Sequence, residues 1–353
     1  MRNRLTHRAF TVMIALAAVF VATACAKPTM ASQFGKKGVT FGVAVQAADV
    51  LDPKCVAVVK ENFNLIVPEN TMKWRNLRPT KGFWNWSDMD AMVKFAAANG
   101  MAMKGHTFVW HQQNAPYVDG LKTRDEAIAL LQEQITTVMT RYKGKIREYD
   151  VANEVLNEDG TMRDTVWLRT IGDDYLDIAF KAARAADPDA KLYLNDYNNE
   201  YEGSAKGDGF YELAKALKQR NVPIDGVGFQ LHVMGTAPLN ADNLRSNVRR
   251  FAELGLLASF TEVDVRIPVP VTPEMEATQT EVYRQLLDIA LTEPNARSFI
   301  VWGYTDKRSW IPAAFPGFGS AHLFDRAEKS KPAYEALKEM ILKAPKPASP
   351  GQN

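Results

Sequence analysis

Cysteine is almost absent from this 353-residue chain, which has only Cys25 and Cys55. Cys25 lies in the leader segment and Cys55 in an expected first helix, so no structural disulfide is expected. Histidine is also scarce, at five residues. There is no HExxH, and His106 and His111 stand five apart, which argues against a helical zinc site. No metal and no organic cofactor is expected. The chain has no GxSxG nucleophile elbow and no phosphate-binding P-loop. "GVGFQL" from Gly226 and "GDGFYE" from Gly207 both lack the third glycine of a dinucleotide-binding turn.

Charge of one sign is missing as well. The formal net charge is +2. Without residues 1–24, which carry Arg2, Arg4 and Arg8, 40 basic residues face 41 acidic ones. That balance gives no reason to expect nucleic acid as a partner, and no protein partner is implied. The apolar run from about Ala9 to Val21 follows a basic start and precedes the small residues Ala22, Ala24 and Ala26. It is short for a membrane span of roughly 20 apolar residues and reads as an export signal over residues 1–26. "ATAC" resembles a lipoprotein cleavage site with Cys25 as the lipidated residue, although Ala22 stands where Leu is usual. The protein is expected to be exported, secreted or periplasmic, with membrane attachment only through a lipid on Cys25. Residues 344–353 form a Pro-rich tail expected to be disordered.

The body between these ends has a regular rhythm. Eight short β-rich runs recur: "VTFGVAV", "FNLIVPEN", "AMKGHTFVWH", "IREYDVANE", "AKLYLNDYN", "GVGFQLHV", "LASFTEVDV" and "RSFIVWGYTD". Amphipathic stretches such as "DEAIALLQEQITTVMTRY" lie between them. Alternating β and α implies a parallel sheet, and eight units imply a closed (β/α)8 TIM barrel over residues 33–343. A doubly wound open sheet is the structural alternative.

Polar residues gather at the C-terminal end of each run: Glu69 and Asn70, His106, Asn153 and Glu154, Asn195 to Asn198, Gln230 and His232, Glu262 and Asp264, Trp302 and Asp306. In a parallel barrel these ends share one rim, where active sites form. Glu154 and Glu262 end the fourth and seventh runs, which nearly face each other across that rim. Paired carboxylates suit glycosidic cleavage, one protonating the leaving oxygen while the other attacks or activates water. Glu158 and Asp159, equally acidic, read as solvated loop. Trp84, Trp86 and Trp167 read as core. Trp110, Trp302 and Trp310 interleave with polar residues and suit the apolar face of a sugar ring.

"VPENTMKW", "GHTFVWH", "YDVANE", "NDYN", "GFQLH", "FTEVD" and "WGYTDKRSW", in that order, resemble the motif series of glycoside hydrolase family 10, the endo-β-1,4-xylanases. The resemblance spans residues from about 36 to 342 and marks the body as a single catalytic domain. It implies retaining hydrolysis of xylan, with Glu154 as general acid/base and Glu262 as nucleophile. It further implies that Asn153 donates to a sugar 2-hydroxyl, that His232 bonds Glu262 with Asp264 behind it, and that Gln230 orients the acid/base. Glu69, Asn70, Lys73 and Gln112 match contacts one sugar further out. His106, Trp110 and Trp302 match the walls of the reacting subsite, Trp310 its roof, and Tyr197 the leaving-group side. Tyr117, Leu231 and Arg308 depart from the family pattern, which bears on substrate preference. A β-1,4-glucanase, a mixed xylanase/glucanase and a non-catalytic exported carbohydrate-binding protein are the alternatives.

Overall fold

The computed structural model describes residues 28–345. The expected export signal, Cys25 and residues 346–353 of the expected tail lie outside the described residues. Eight parallel strands close into a barrel: β1 (Thr40–Val45), β2 (Leu65–Pro68), β3 (Ala102–Val109), β4 (Glu148–Asn153), β5 (Lys191–Asp196), β6 (Gly226–Phe229), β7 (Leu257–Pro268) and β8 (Ala296–Val301). Each pairs with its neighbour in sequence, and β8 returns to β1 through Phe41↔Phe299 and Val43↔Val301. The closed order rules out the open doubly wound sheet.

A helix follows every strand, from Pro53–Asn62 after β1 to Pro332–Lys343 after β8. Local chemistry starts them. Thr123, Ser204 and Thr272 accept hydrogen bonds from the backbone N–H of the first turn, and Pro53, Pro273 and Pro332 occupy first-turn positions where no N–H is needed. The expected domain start at 33 falls inside a further helix, Met30–Lys36, whose Phe34 stacks on Phe41 at 4.2 Å.

Strand alternation separates two cores. In β1, Phe41, Val43 and Val45 join the apolar layer between sheet and helices, while Ala44 joins a small second cluster with Leu65, Val67, Ile300 and Trp302. Inside the barrel, the wall of β3 and β4 is polar. Lys104 Nζ lies 2.8 Å from Asp150 Oδ1, and His106 Nδ1 lies 3.0 Å from Asp150 Oδ2. An ion pair so deeply buried contributes little net stability, but it fixes His106 directly beneath the rim.

The sixth run is not one strand. Gly226–Phe229 pairs with β5 and β7, then Leu231 adopts a left-handed conformation (φ 61°). His232–Met234 resumes as a separate strand beside Asp264–Arg266 of β7. A leucine disfavours that conformation. The turn is set by pairing on both sides of it, and it brings His232 alongside Asp264.

Candidate active site

The strand ends converge on one cleft of about 610 Å³. Its walls include Glu69, Asn70, Lys73, His106, Trp110, Gln112, Asn153, Glu154, Tyr197, Gln230, His232, Glu262, Trp302 and Trp310. Every site residue expected from sequence is therefore in one place, except that Asp264 stands directly behind the wall.

Glu154 leaves β4 in a left-handed conformation (φ 55°). Two bonds hold its backbone there: Glu154 N donates to Asn195 O, and Arg163 Nε donates to Glu154 O, both at 2.9 Å. This local cost of about 1–3 kcal/mol is sustained by the surrounding contacts and aims the side chain across the rim. Glu154 Oε1 accepts from Gln230 Nε2 at 3.1 Å and from Asn153 Nδ2 at 3.3 Å. Its Oε2 has His111 Nδ1 at 3.7 Å.

Glu262, on β7, is 4 % exposed and held at both oxygens. Asn195 Nδ2 donates to Oε1 at 2.8 Å, and His232 Nε2 lies 3.2 Å from Oε2. Behind the imidazole, His232 Nδ1 lies 2.8 Å from Asp264 Oδ2, which also accepts from Trp310 Nε1 at 2.9 Å. Burial opposes a charge on His232, but Asp264 and Glu262 outweigh it and push the imidazole up to about 10. A cationic His232 therefore backs Glu262 at neutral pH.

Asn195 joins the two halves. Its Nδ2 also donates to Asn153 Oδ1 at 2.8 Å, and its Oδ1 accepts from Thr261 Oγ1 at 2.7 Å. Gln230 Nε2 reaches Asn153 Oδ1 at 3.1 Å. A continuous chain of carboxamides thus links Glu154 to Glu262. Room for it comes from β6, where a Cβ on Gly228 would stand 2.0 Å from Asn195 Oδ1.

One end of the cleft is a polar clamp. Asn70 Oδ1 accepts from Lys73 Nζ and from Gln113 Nε2, each at 3.2 Å, and Asn70 Nδ2 donates to Glu69 Oε1 at 3.3 Å. Burial pushes Glu69 above the usual carboxylate range against the pull of Lys73. Burial likewise lowers Lys73, although Glu262 and Glu69 support its charge. Lys73 Nζ lies 4.6 Å from the Trp110 ring and 5.9 Å from that of Trp302. Edge contacts set the flat walls: His106 against Trp302 at 5.1 Å and His232 against Trp310 at 4.7 Å. At the other end stands Tyr197, whose hydroxyl accepts from Arg163 Nη2 at 2.9 Å.

Sequence reasoning missed several wall residues. Asn195 opened a flagged polar cluster but was given no role of its own. Gln113, not singled out, lines the cleft and bonds Asn70 at 3.2 Å, beside the expected Gln112, which also lines it and bonds His111 at 3.1 Å. Arg266 and Phe315 line the cleft without any sequence signal. Trp167 is buried, and Trp84 and Trp86 stack on each other at 4.7 Å away from the cleft. Glu158, read as solvated loop, is exposed and also meets the buried Lys206 at 3.0 Å.

Residues 29–340 match Glycosyl hydrolase family 10. Endo-1,4-beta-xylanase B of Thermotoga neapolitana is 39% identical over 290 residues, 82% of this chain and 83% of its own. Endo-1,4-beta-xylanase A of Phanerodontia chrysosporium is 38% identical over 88% of this chain and 75% of its own. Among solved structures, xylanase 10B of Thermotoga petrophila in complex with xylobiose superimposes with a TM-score of 0.86 at 38% identity, covering 89% of this chain and 97% of that one. Rim, paired glutamates and motif series agree with these likenesses: the chain belongs to glycosyl hydrolase family 10.

Proposed function

We propose that this protein is an endo-1,4-β-xylanase that cleaves internal bonds of xylan with retention of anomeric configuration. The observation that carries the reading is the unequal support of two linked carboxylates. Glu262 is bonded at both oxygens, one partner being a cationic imidazole, which suits a fixed nucleophile. Glu154 is hydrogen-bonded at Oε1 alone, which leaves Oε2 available and suits a proton donor. In the first step Glu262 attacks the anomeric carbon while Glu154 protonates the departing oxygen, so the glycosidic bond breaks as the glycosyl–enzyme bond forms. In the second step Glu154, now a carboxylate, takes a proton from water. That water attacks the anomeric carbon and releases Glu262.

Asn153 supplies a donor for the 2-hydroxyl of the reacting sugar. Glu69, Asn70, Lys73 and Gln112 hold the sugar beyond it, and Tyr197 flanks the leaving group. Trp302 and Trp310 close around the reacting ring, and a close wall favours xylose, which lacks the hydroxymethyl of glucose. Export through the leader belongs to the same reading, because a polymeric substrate lies outside the cell.

The test is hydrolysis of linear xylan followed by NMR of the newborn reducing ends. Short oligomers carrying the β-anomer first are expected; initial α-anomer would overturn retention. Faster cleavage of carboxymethyl-cellulose than of xylan would overturn the substrate assignment. Glu262→Ala is expected to abolish hydrolysis while xylo-oligosaccharides still bind, and surviving turnover would remove Glu262 from the nucleophile role.

A further inference from the structure

A second cavity, of about 520 Å³, adjoins the cleft at Asn70, which lines both. It lies between the loop after β1, at Gln46–Ala48, and the segment from Asn70 to Asp88 after β2. No aromatic ring lines it, so a sugar there is held by hydrogen bonds and charge. Arg75 is its one cationic lining residue. Among the described residues no carboxylate pairs with that exposed guanidinium. The nearby guanidinia are committed: Arg78 to Glu133 at 2.9 Å and Arg141 to Asp90 at 2.6 Å. The segment that bears Arg75 is nonetheless fixed. Its N–H donates to Gln113 O at 2.9 Å, and Asn76 Nδ2 donates to Asn70 O at 2.8 Å.

Asp88 is the only acidic lining residue. It lies in the first turn of helix Trp86–Ala98, where the positive end of the helix offsets its charge, and Ser87 Oγ donates to it at 3.4 Å. The cavity therefore carries one charge of each sign, and its guanidinium is free to pair with an anion that enters from the cleft. The adjoining cleft is mixed in charge, with Glu69, Glu154 and Glu262 facing it beside Lys73, His232 and Arg266. An anionic branch that leaves the cleft at Asn70 meets an exposed guanidinium at Arg75 that no carboxylate occupies among the described residues. Guanidinium is suited to that role, since its planar fork matches a carboxylate.

We propose that this cavity is a branch subsite that binds the carboxylate of a uronic acid substituent on the xylan chain, with Arg75 determining that preference. The proposal rests on the xylanase reading of the cleft. Arg75 stands outside the reacting machinery, so its loss leaves the treatment of an unsubstituted chain unchanged.

The experiment compares kcat/KM for the unmodified protein, Arg75→Ala and Arg75→Lys on three substrates: linear xylan, glucuronoxylan, and glucuronoxylan whose carboxyls have been reduced to alcohols. Arg75→Ala is expected to lose roughly threefold to tenfold on glucuronoxylan, the loss shrinking at high salt, as for an exposed charge pair. It should match the unmodified protein on the two uncharged substrates, with Arg75→Lys intermediate on the charged one. Equal losses on all three substrates, or none on glucuronoxylan, would overturn the proposal. Hydrolysis of linear xylan by the unmodified protein reports on the cleft alone, so failure of the xylanase reading is separable from failure of the branch subsite.

Discussion

Asn195 Nδ2 stands 2.8 Å from Glu262 Oε1, and the same group donates to Asn153 Oδ1 at 2.8 Å. One carboxamide on β5 therefore sets the spacing between the residue beside Glu154 and the residue opposite it. Asn195→Ala removes a donor to a charged acceptor, worth about 1.5–3 kcal/mol. The expected result is a roughly tenfold to hundredfold fall in kcat with a smaller change in KM. Asn195→Asp should do at least as much damage, because it turns an acceptor toward the Glu262 carboxylate. Steady-state kinetics on an aryl xylobioside would show it, and an unchanged kcat in both variants would remove Asn195 from the working network.

His232 gives the site a defined response to alkali. Charged, it donates from Nδ1 to Asp264 and from Nε2 to Glu262; neutral, it keeps a proton for only one of them. Its folded value is raised to about 10 from an ordinary 6.5. The linked stability is therefore fully present below about pH 6.5 and is lost as pH rises through about 10. The melting temperature of the unmodified protein should fall across that window more steeply than that of His232→Asn. Parallel melting curves from pH 6 to 10.5 would contradict the imidazolium assignment.

Much of this was legible from sequence because strands and rim residues follow a local pattern. All eight runs contain a barrel strand, and most of the polar residues at their ends meet at the cleft, whereas Asp306 pairs with Lys331 at 3.1 Å. What escaped depends on contacts between distant segments. The break at Leu231 is imposed by pairing with β5 and β7, not by the residue itself. β7 continues to Pro268, three residues past its run, and so brings Arg266 to the cleft. Gln113 follows the expected Gln112 into the cleft, and only the path of the chain brings it to Asn70. Asn195 acquires its place from partners on β4 and β7, which no periodicity within β5 can reveal.

Gly228 tests whether that carboxamide chain needs its space. An added Cβ would stand 2.0 Å from Asn195 Oδ1 and 3.0 Å from Thr261 Cγ2. Neither can retreat without breaking the network, so Gly228→Ala is expected to cost about 1–3 kcal/mol by overpacking. Activity should fall with it. Gly35→Ala is the control: it lies inside helix Met30–Lys36, and its nearest neighbour would be Asn64 Nδ2 at 3.9 Å. There alanine is expected to be neutral or to stabilise by about 0.5–1 kcal/mol. Urea denaturation of both variants, alongside kcat, checks the contrast; equal stabilities would mean that the Asn195 network is loose.

The acids that follow Glu154 give a last contrast, between two bonds made by one amine. Lys206 Nζ lies 3.0 Å from Asp196 Oδ1 and 3.0 Å from Glu158 Oε1. Asp196 is fully buried, whereas the Glu158 side chain is 59 % exposed. Asp196 also takes N–H bonds from Leu156 at 3.2 Å and Tyr197 at 2.9 Å, so it anchors the loops on either side of the leaving-group end. Burial pushes Asp196 up to about 7 even beside this amine, so removing the amine leaves the buried carboxyl to bind a proton or stand unpaired, and Lys206→Met should cost about 3–5 kcal/mol. Glu158→Gln breaks only the exposed half and should cost less than about 1 kcal/mol. Asp196→Asn combined with Lys206→Met removes both buried charges and should recover much of the loss. If the double variant is no more stable than Lys206→Met alone, Lys206 acts through packing on the Tyr197 ring, 3.4 Å away, and not through charge.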